Sequence, residues 1–251
     1  MSIAWICGPH KLSTWDQYHR DDFLGRFSHT SIETFNDLPT DWFHVKHPEP
    51  IPAAPDLYKE HLEDLVSYIK TAAQSQNLVS PGDLEHLWER HILDSLSPLL
   101  WSGELSLEEP GNWVDMGSGA GFPVLPLAIC LPHWTFYAIE PRRLRVQHLE
   151  NSALHLKLSN LNVVGSKAET AALLPQLREQ ANIVSARAVG KIPDDAKRAR
   201  PFLNKRGWFL TYKHNEQVQG IDGYHPLSYV RYRLPSGDEP RTLVLAPISS
   251  I

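Results

Sequence analysis

The chain has 251 residues, 42% of them hydrophobic, which is enough for one or two domains with a full α/β core. The chain has only two cysteines, which excludes a disulfide framework. It has no run of about 18 apolar residues, which excludes a membrane-spanning helix. No basic segment followed by an apolar one opens the chain, so we expect no signal peptide and a cytoplasmic protein.

The net charge of −5 is unevenly distributed along the chain. Residues 1–140 carry 7 Lys and Arg against 20 Asp and Glu, whereas residues 141–213 carry 14 against 5. A basic segment in an acidic chain predicts a surface that meets the phosphates of a nucleic acid. The alternative is a set of basic helix faces that are simply solvated.

Residues 1–55 hold many aromatic side chains without a sustained period and end in a proline-rich run. We predict that they form an N-terminal extension that is in part disordered. Five histidines fall in this segment: His10, His19, His29, His44 and His47. Because no Cys-x-x-Cys set accompanies them, we expect no metal site.

Residues 56–110 are predicted to form a helical region. Apolar residues recur every three or four positions from Asp56, which predicts a first helix. A second helix is predicted to begin at Asp83, which follows Pro-Gly and would be its N-cap. In that helix His91 lies at the edge of the apolar face and Asp94 lies one turn away. The alternative for these two residues is a satisfied histidine and a surface ion pair.

The segment WVDMGSGAGFP, residues 113–123, organises the rest of the chain. An apolar strand reaches Asp115 within it, and three alternating glycines follow: Gly117, Gly119 and Gly121. Glycines tolerate positive φ and let backbone N–H groups approach a ligand. We predict that this loop opens a helix with Pro123 in its first turn and Pro132 after its end, and that free N–H groups meet an anionic group there.

The next predicted strand, TFYAIE, ends in Glu140, which lies 19 residues after Gly121. In Rossmann-like units an acidic residue about 20 residues after the glycine loop accepts hydrogen bonds from ribose hydroxyls. Glu140 fits that role better than the alternative, a solvated carboxylate at a strand end.

Predicted strands and helices alternate after Glu140, beginning with a basic helix. Further strands are predicted at 160–165, 181–188 and 207–213, with a basic helical stretch at 191–206 and a hairpin at the end. Residues 111–251 therefore predict an α/β domain of Rossmann-like type. We expect a seven-stranded, mostly parallel sheet with a terminal antiparallel hairpin and ligands at the carboxyl ends of the strands.

The D-x-G-x-G-x-G spacing resembles the S-adenosylmethionine (SAM) loop of Rossmann-like, class I methyltransferases rather than the G-x-G-x-x-G of dinucleotide-binding proteins. WERHILDSL before DMGSGAGFP, followed by IE, SKAE, SARA and YK, resembles the glucose-inhibited division protein B family, whose members methylate N7 of a guanine in 16S rRNA. The likeness covers residues 56 to about 246 and also FHVKHP at 43–48. The chain differs from the usual family pattern at Ala72, Ala73, Val124, Leu144 and His214.

The resemblance implies that SAM is the cofactor, that 16S rRNA or the small ribosomal subunit is the partner, and that the protein is a monomer without a membrane partner. The implied cofactor-binding residues are Asp115, Gly117, Ser118, Gly119, Gly121, Phe122, Glu140, Ala168, Glu169 and Arg187. Residues 56–110 are implied to lie on the substrate side, and the implied substrate-binding residues are Asn77, His91, Asp94, Arg142, Arg143, Arg145 and Lys213. Arg187, at the end of the SARA strand, is the implied catalytic residue. The alternative for Arg187 is an ion pair with Glu169 or Asp194.

Guanine N7 has a free lone pair in the ring plane, so its methylation needs no proton removal and depends on positioning. The absence of an obvious nucleophile–His–Asp set or metal motif agrees with that chemistry. SARA in place of an N/D-P-P-Y/F motif argues against methylation of adenine N6. Two alternatives stay open, namely a non-catalytic relative that binds SAM and RNA, and a SAM-dependent methyltransferase of a protein or small molecule.

Overall fold

The computed structural model describes residues 56–73, 78–101, 105–187, 190–213, 220–225, 227–232, 234 and 241–249. The predicted extension with its five histidines, Asn77 and His214 lie outside the described residues. Within the described ranges, no helix combines the length and the apolar character needed to cross a membrane. The same ranges hold no group of three or more His, Cys, Asp or Glu suited to a metal ion.

A seven-stranded sheet forms the centre of the fold. Its strands are β1 (Asn112–Met116), β2 (Thr135–Ile139), β3 (Leu161–Val164), β4 (Ala181–Arg187), β5 (Leu203–Lys213), β6 (Ser228–Tyr232) and β7 (Arg241–Pro247). They lie in the order β3-β2-β1-β4-β5-β7-β6. The first five pair in parallel, and β7 runs antiparallel to β5 and β6. The predicted Rossmann-like sheet with a terminal hairpin is confirmed.

Helices cover the sheet and connect its parallel strands. They are α1 (Asp56–Ala73), α2 (Pro81–Leu84), α3 (Val124–Cys130), α4 (Arg143–His155), α5 (Ala168–Ala171) and α6 (Ile192–Ala199). A π-helical segment (Trp88–Leu93) and a 3-10 segment (Ser97–Trp101) follow α2. α3 to α6 fall between successive parallel strands, which is the crossover pattern that a parallel sheet requires.

The core has two layers because successive residues of a strand point to opposite faces of the sheet. Trp113 packs with the apolar residues of α1, α3 and α4 on one face. Its neighbour Val114 packs with those of α5 and α6 on the other face. The central strands β1 and β4 are buried along most of their length, as expected for parallel strands that are covered on both faces. The apolar residues of α1 belong to the same cluster as Trp113 of the sheet. The predicted domain boundary at residue 110 stays a prediction.

The prediction of one continuous helix from Asp83 is wrong. Ser80 is the N-cap of α2: its hydroxyl accepts from the Asp83 backbone N–H (3.2 Å) and donates to the Asp83 carboxylate (2.6 Å). Further along, Pro98 has no N–H and disfavours a helical conformation of the preceding Ser97, where the 3-10 segment begins. The cap thus places the start of the helix before Asp83, and Pro98 accounts for the change to a 3-10 segment at its end.

The basic stretch at 191–206 is helical only in its first half, so the prediction for its second half is wrong. α6 ends at Ala199, and Pro201 lacks the N–H group needed to continue the helix. β5 begins at Leu203, four residues earlier than predicted, because Leu203 already pairs with β4 before the register shifts.

Candidate active site

The predicted cofactor loop and two of the predicted charged residues meet at one edge of the sheet. The glycine loop follows β1, Glu140 follows β2, and Arg187 ends β4. In a doubly wound sheet, ligands bind at the carboxyl ends of the strands where the strand order reverses, which here is between β1 and β4. The arrangement makes this edge the candidate active site.

The glycine loop has a backbone that other residues would strain. Gly119 and Gly121 have φ values of 55° and 97°. A Cβ on Gly121 would lie 2.2 Å from Leu125 Cδ1, so the turn needs glycine for its conformation and for its packing. The Gly119 N–H donates to Glu140 Oε2 at 3.0 Å and so connects the loop to the end of β2.

The helix after the loop is shorter than the sequence predicts. α3 begins at Val124, so Pro123 lies just before the helix and not in its first turn. All seven of its residues, Val124–Cys130, are buried, and it ends before Leu131, close to the predicted stop. The predicted anion site at the start of α3 stays a prediction.

Glu140 is an ionised acceptor held by the chain itself. Its side chain is fully buried, and Oε1 accepts from both the backbone N–H (2.9 Å) and Nε (3.0 Å) of Arg142. Burial alone would raise the pKa of Glu140, but the hydrogen bonds from Arg142 and Gly119 outweigh it and lower the pKa. A carboxylate offers about four acceptor positions. Three are occupied here, so one is left for a ribose hydroxyl.

Asp115 has an unused acceptor atom in the interior. Oδ1 accepts from the Ser185 hydroxyl at 2.7 Å, and that hydroxyl accepts from Trp113 Nε1 at 2.9 Å. Oδ2 is buried and has no hydrogen-bond partner within the described part of the chain. Burial raises the pKa of Asp115 to about 6, and the hydrogen bond from Ser185 offsets only part of this effect. An unpaired buried acceptor costs about 1–3 kcal/mol, which a ligand donor would recover.

These groups fit the SAM predicted from the sequence. The free Oδ2 of Asp115 suits an ammonium donor, and the remaining acceptor position of Glu140 suits a ribose hydroxyl. Ser118 is buried and donates its hydroxyl to the Asp115 carbonyl at 3.0 Å, which fixes the turn between the two carboxylates. Arg142, whose side chain is 68% exposed, forms the ion pair with Glu140 Oε1 in the free protein.

Arg187 is held beside the glycine loop by a buried ion pair. Its Nη2 lies 2.8 Å from Oδ2 of Asp94, which is fully buried, and it donates to the Arg90 carbonyl at 2.9 Å. The guanidinium carbon lies 6.0 Å from the ring centre of Phe122 and 5.9 Å from that of Tyr212. The Arg90 carbonyl, to which Arg187 donates, belongs to the π-helical segment. Single π-helical turns are frequent at functional sites.

His91 is a neutral member of this cluster. Its Nδ1 lies 3.4 Å from Arg187 Nη2, and its ring centre lies 4.8 Å from that of Phe122. Burial, followed by the positive charge of Arg187, lowers the pKa of His91 to about 4. Because an arginine only donates hydrogen bonds, Nδ1 accepts and the proton is on Nε2. His91 is therefore neutral at pH 7 and does not serve as an acid near the site.

The alternative pairing considered for Arg187 is wrong, since its partner is Asp94 and not Glu169 or Asp194. Glu169 lies on α5, is exposed and pairs with Arg198 of α6 at 3.4 Å. Ala168 beside it is half-buried. The predicted adenine contacts of Ala168 and Glu169 stay predictions.

The predicted substrate-binding cations differ in their contacts within the chain and in their exposure. Arg145 donates to the Leu78 carbonyl at 2.6 Å and so ties α4 to the segment before α2. The Lys213 ammonium donates to the Gly190 carbonyl and lies 3.8 Å from Asp195. Arg143 is exposed at the start of α4. Their roles toward a substrate, like those of His91 and Asp94, stay predictions.

Sequence reasoning missed three residues that shape the site. Tyr232 and Arg241, from the terminal hairpin, both contact Asp94. His148 of α4 contacts the Ala120 carbonyl of the glycine loop through Nε2 at 3.2 Å, and Tyr68 of α1 stacks on its ring. The sequence carries no signal for these contacts, because each joins residues that are far apart in the chain.

The fold and this site define a class, that of the Rossmann-like methyltransferases. A crystal structure of a methyltransferase from Geobacter sulfurreducens is similar to this chain with a TM-score of 0.50. The likeness covers 74% of this chain and 89% of that one at 15% sequence identity, so it shows the fold alone.

The chain belongs to the GidB family, described as rRNA small subunit methyltransferase G, whose family model matches residues 58–234. It is 41% identical over 164 residues to a ribosomal RNA small subunit methyltransferase G of Erythrobacter litoralis, covering 65% of this chain and 75% of that protein. A protein of the same name from Microcystis aeruginosa is 31% identical over 184 residues, covering 67% of this chain and 82% of that protein. The resemblance inferred from the sequence is confirmed.

Proposed function

We propose that this protein is a SAM-dependent methyltransferase that methylates N7 of a guanine in 16S rRNA. Membership of the GidB family, whose description and relatives name an rRNA small subunit methyltransferase, supports the RNA substrate. In this proposal the protein works in the cytoplasm. It acts as a monomer, because one chain supplies the glycine loop, both carboxylates and Arg187.

The observation that carries the choice of N7 is the anchored guanidinium of Arg187 beside the glycine loop. Its ion pair with Asp94 and its bond to the Arg90 carbonyl fix its direction. A guanidinium is a planar fork that donates to the O6 atom of guanine, which borders N7, or to a nearby phosphate. It holds the base without giving a proton to N7, because arginine stays protonated at neutral pH.

The chain has to orient two reactants, because the lone pair of N7 is already free to attack. Bound SAM supplies a methyl group on a positively charged sulfonium, which a lone pair can attack directly. Arg187 orients the base, Phe122 and His91 form one wall of the site, and the low pKa of His91 keeps that wall uncharged at pH 7. Asp115 and Glu140 hold the cofactor on the other side of the loop. Positioning of this kind accounts for large rate gains without acid–base chemistry.

A set of exposed cations lies along the same edge of the sheet as the site. Arg143, Lys167 and Lys191 each follow the carboxyl end of a parallel strand and are exposed. We call these three residues the rim cations. Lys157, Lys205 and Arg206 are equally exposed but lie at the amino ends of β3 and β5, on the opposite edge. We call these the back-edge cations. In our proposal the rim cations bind the RNA phosphates.

The proposed function is tested by incubating the protein with 16S rRNA, small ribosomal subunits and labelled SAM, and mapping the product. The expected product is 7-methylguanine at one position, identified by cleavage of the RNA chain at N7-methylated guanines. SAM binding without transfer to any of these RNAs would instead assign the protein to the non-catalytic relatives. Labelling of a protein or small molecule in place of RNA would assign it to another substrate class.

The role of Asp115 predicts a pH dependence of SAM affinity. The pKa of Asp115 is raised to about 6, so the free protein loses this negative charge as the pH falls through 6. The α-ammonium group of an amino acid has a pKa of about 8 or above, so it keeps its charge over that range. If ionised Asp115 accepts from it, SAM affinity falls up to about tenfold per pH unit below 6.

Calorimetry from pH 5 to pH 7.5 measures this dependence. Asp115→Asn should bind SAM more weakly at pH 7 and show a flatter profile. The matched control is Asp222→Asn at an exposed aspartate, which should keep the native profile. The same pH profile in Asp115→Asn as in the native protein would contradict the assignment.

The rim cations are tested against the back-edge cations, because both sets contain one arginine and two lysines. Replacing the rim set by glutamine should weaken binding of a 16S rRNA fragment. The slope of log K against log salt should become shallower by about 2, as expected for three lost contacts to single-stranded phosphates. Fluorescence anisotropy at several salt concentrations measures both quantities.

The back-edge triple variant removes the same charge and should bind the RNA fragment with native affinity and slope. Equal losses in the two triple variants would mean that overall charge, and not this edge, determines RNA binding. SAM calorimetry on both variants verifies that the site itself is intact.

A further inference from the structure

The Asp94 carboxylate is the centre of a buried polar cluster that joins three parts of the fold. Its side chain has no exposed surface, and Oδ2 lies 2.8 Å from Arg187 Nη2 and 3.2 Å from Arg241 Nη1. The Tyr232 hydroxyl donates to Oδ1. The carboxylate therefore links the helical segment before the sheet, the end of β4 and the terminal hairpin.

Arg241 and Tyr232 act on Asp94 as a pair. They are directly opposite each other in the β6–β7 register, and directly opposite residues project to the same face of a sheet. One of them binds Oδ2 and the other binds Oδ1 of the same carboxylate. Donors on both oxygens fix the rotation of the Asp94 carboxylate, which a single donor would leave free to turn.

Arg241 is built into the interior. Its side chain is 15% exposed, and its Nε is buried without a hydrogen-bond partner in the described residues. A buried N–H without an acceptor opposes folding. The contact with Asp94 thus forms although it leaves the Nε–H group of Arg241 buried without an acceptor. An ion pair at the surface would leave that N–H group in contact with water.

We propose that Arg241 and Tyr232 are positioning residues for methyl transfer, which fix Asp94 and through it the guanidinium of Arg187. The inference rests on the proposed function, in which Arg187 orients the guanine. A displacement of about 1 Å in a group that orients a reactant lowers the rate by about 100-fold. The family match ends at residue 234, so Arg241 lies outside it.

Steady-state transfer to 16S rRNA and SAM calorimetry test the proposal with Arg241→Gln and Tyr232→Phe. Each variant should lower kcat about tenfold or more and leave the KM for RNA and the Kd for SAM within about twofold. In an Arg187→Lys background the same changes should lower kcat no further, because they act through Arg187. Arg241→Lys, which keeps the charge near Asp94, should recover part of kcat. Arg206→Gln, at an exposed arginine of the back edge, is the matched control and should keep the native kcat.

A native kcat in both Arg241→Gln and Tyr232→Phe would overturn the proposal. A further loss of kcat in the Arg187→Lys background would also overturn it, and so would a loss of SAM affinity as large as the loss of kcat. If Arg241→Gln does not fold, Tyr232→Phe decides, because it removes a single hydroxyl. If the native protein transfers no methyl group to RNA, the proposed function fails, and crystal structures of the variants decide instead. An Arg187 guanidinium still 2.8 Å from Asp94 in both would overturn the proposal, and a displaced guanidinium would support it.

Discussion

The buried ion pair between Asp94 and Arg187 is the interaction on which the rest of the site depends. It joins the segment after the π-helical turn to the end of β4, across 93 positions of the chain, with an N···O distance of 2.8 Å. Removing one partner of a buried pair typically costs about 3–5 kcal/mol, because the other charge is left buried without compensation. The pair also uses the Arg90 carbonyl, so the shape of the helical segment and the direction of the guanidinium are set together. The helical region thus supplies two partners of Arg187 at the candidate site and also packs against the sheet.

The two carboxylates beside the glycine loop have opposite properties that suit different parts of one cofactor. Glu140 is paired with Arg142 and Gly119, which lowers its pKa and leaves it one acceptor position. Asp115 is also buried but lies within β1, its pKa is raised to about 6, and one of its oxygens is unpaired. The free protein therefore has an unfavourable unpaired acceptor at the end of β1, which the proposed contact with the ammonium group of SAM would satisfy.

Local patterns predicted much of the sheet and the loop, because glycine spacing and apolar runs depend on nearby residues. The position of Glu140 after β2, the alternation of strands and helices, and the terminal hairpin all followed from them. The π-helical turn and the early start of β5 did not, since the first involves the distant Arg187 and the second depends on pairing with β4. Arg187 and Asp94 were both predicted as site residues, but not as partners, because the two meet only in the folded chain. Arg241 and Tyr232 carried no sequence signal for the same reason.

The central claim is that an anchored guanidinium orients the guanine, and Arg187→Lys tests it most directly. Lysine keeps the positive charge near Asp94 and loses the planar fork. The measurement is the single-turnover rate of methyl transfer to 16S rRNA at saturating SAM and RNA, with the Kd for SAM determined on the same preparation. The rate should fall about 100-fold or more while the Kd for SAM stays within about twofold of the native value. A near-native rate in Arg187→Lys would contradict the claim and assign Arg187 to the stability of the fold.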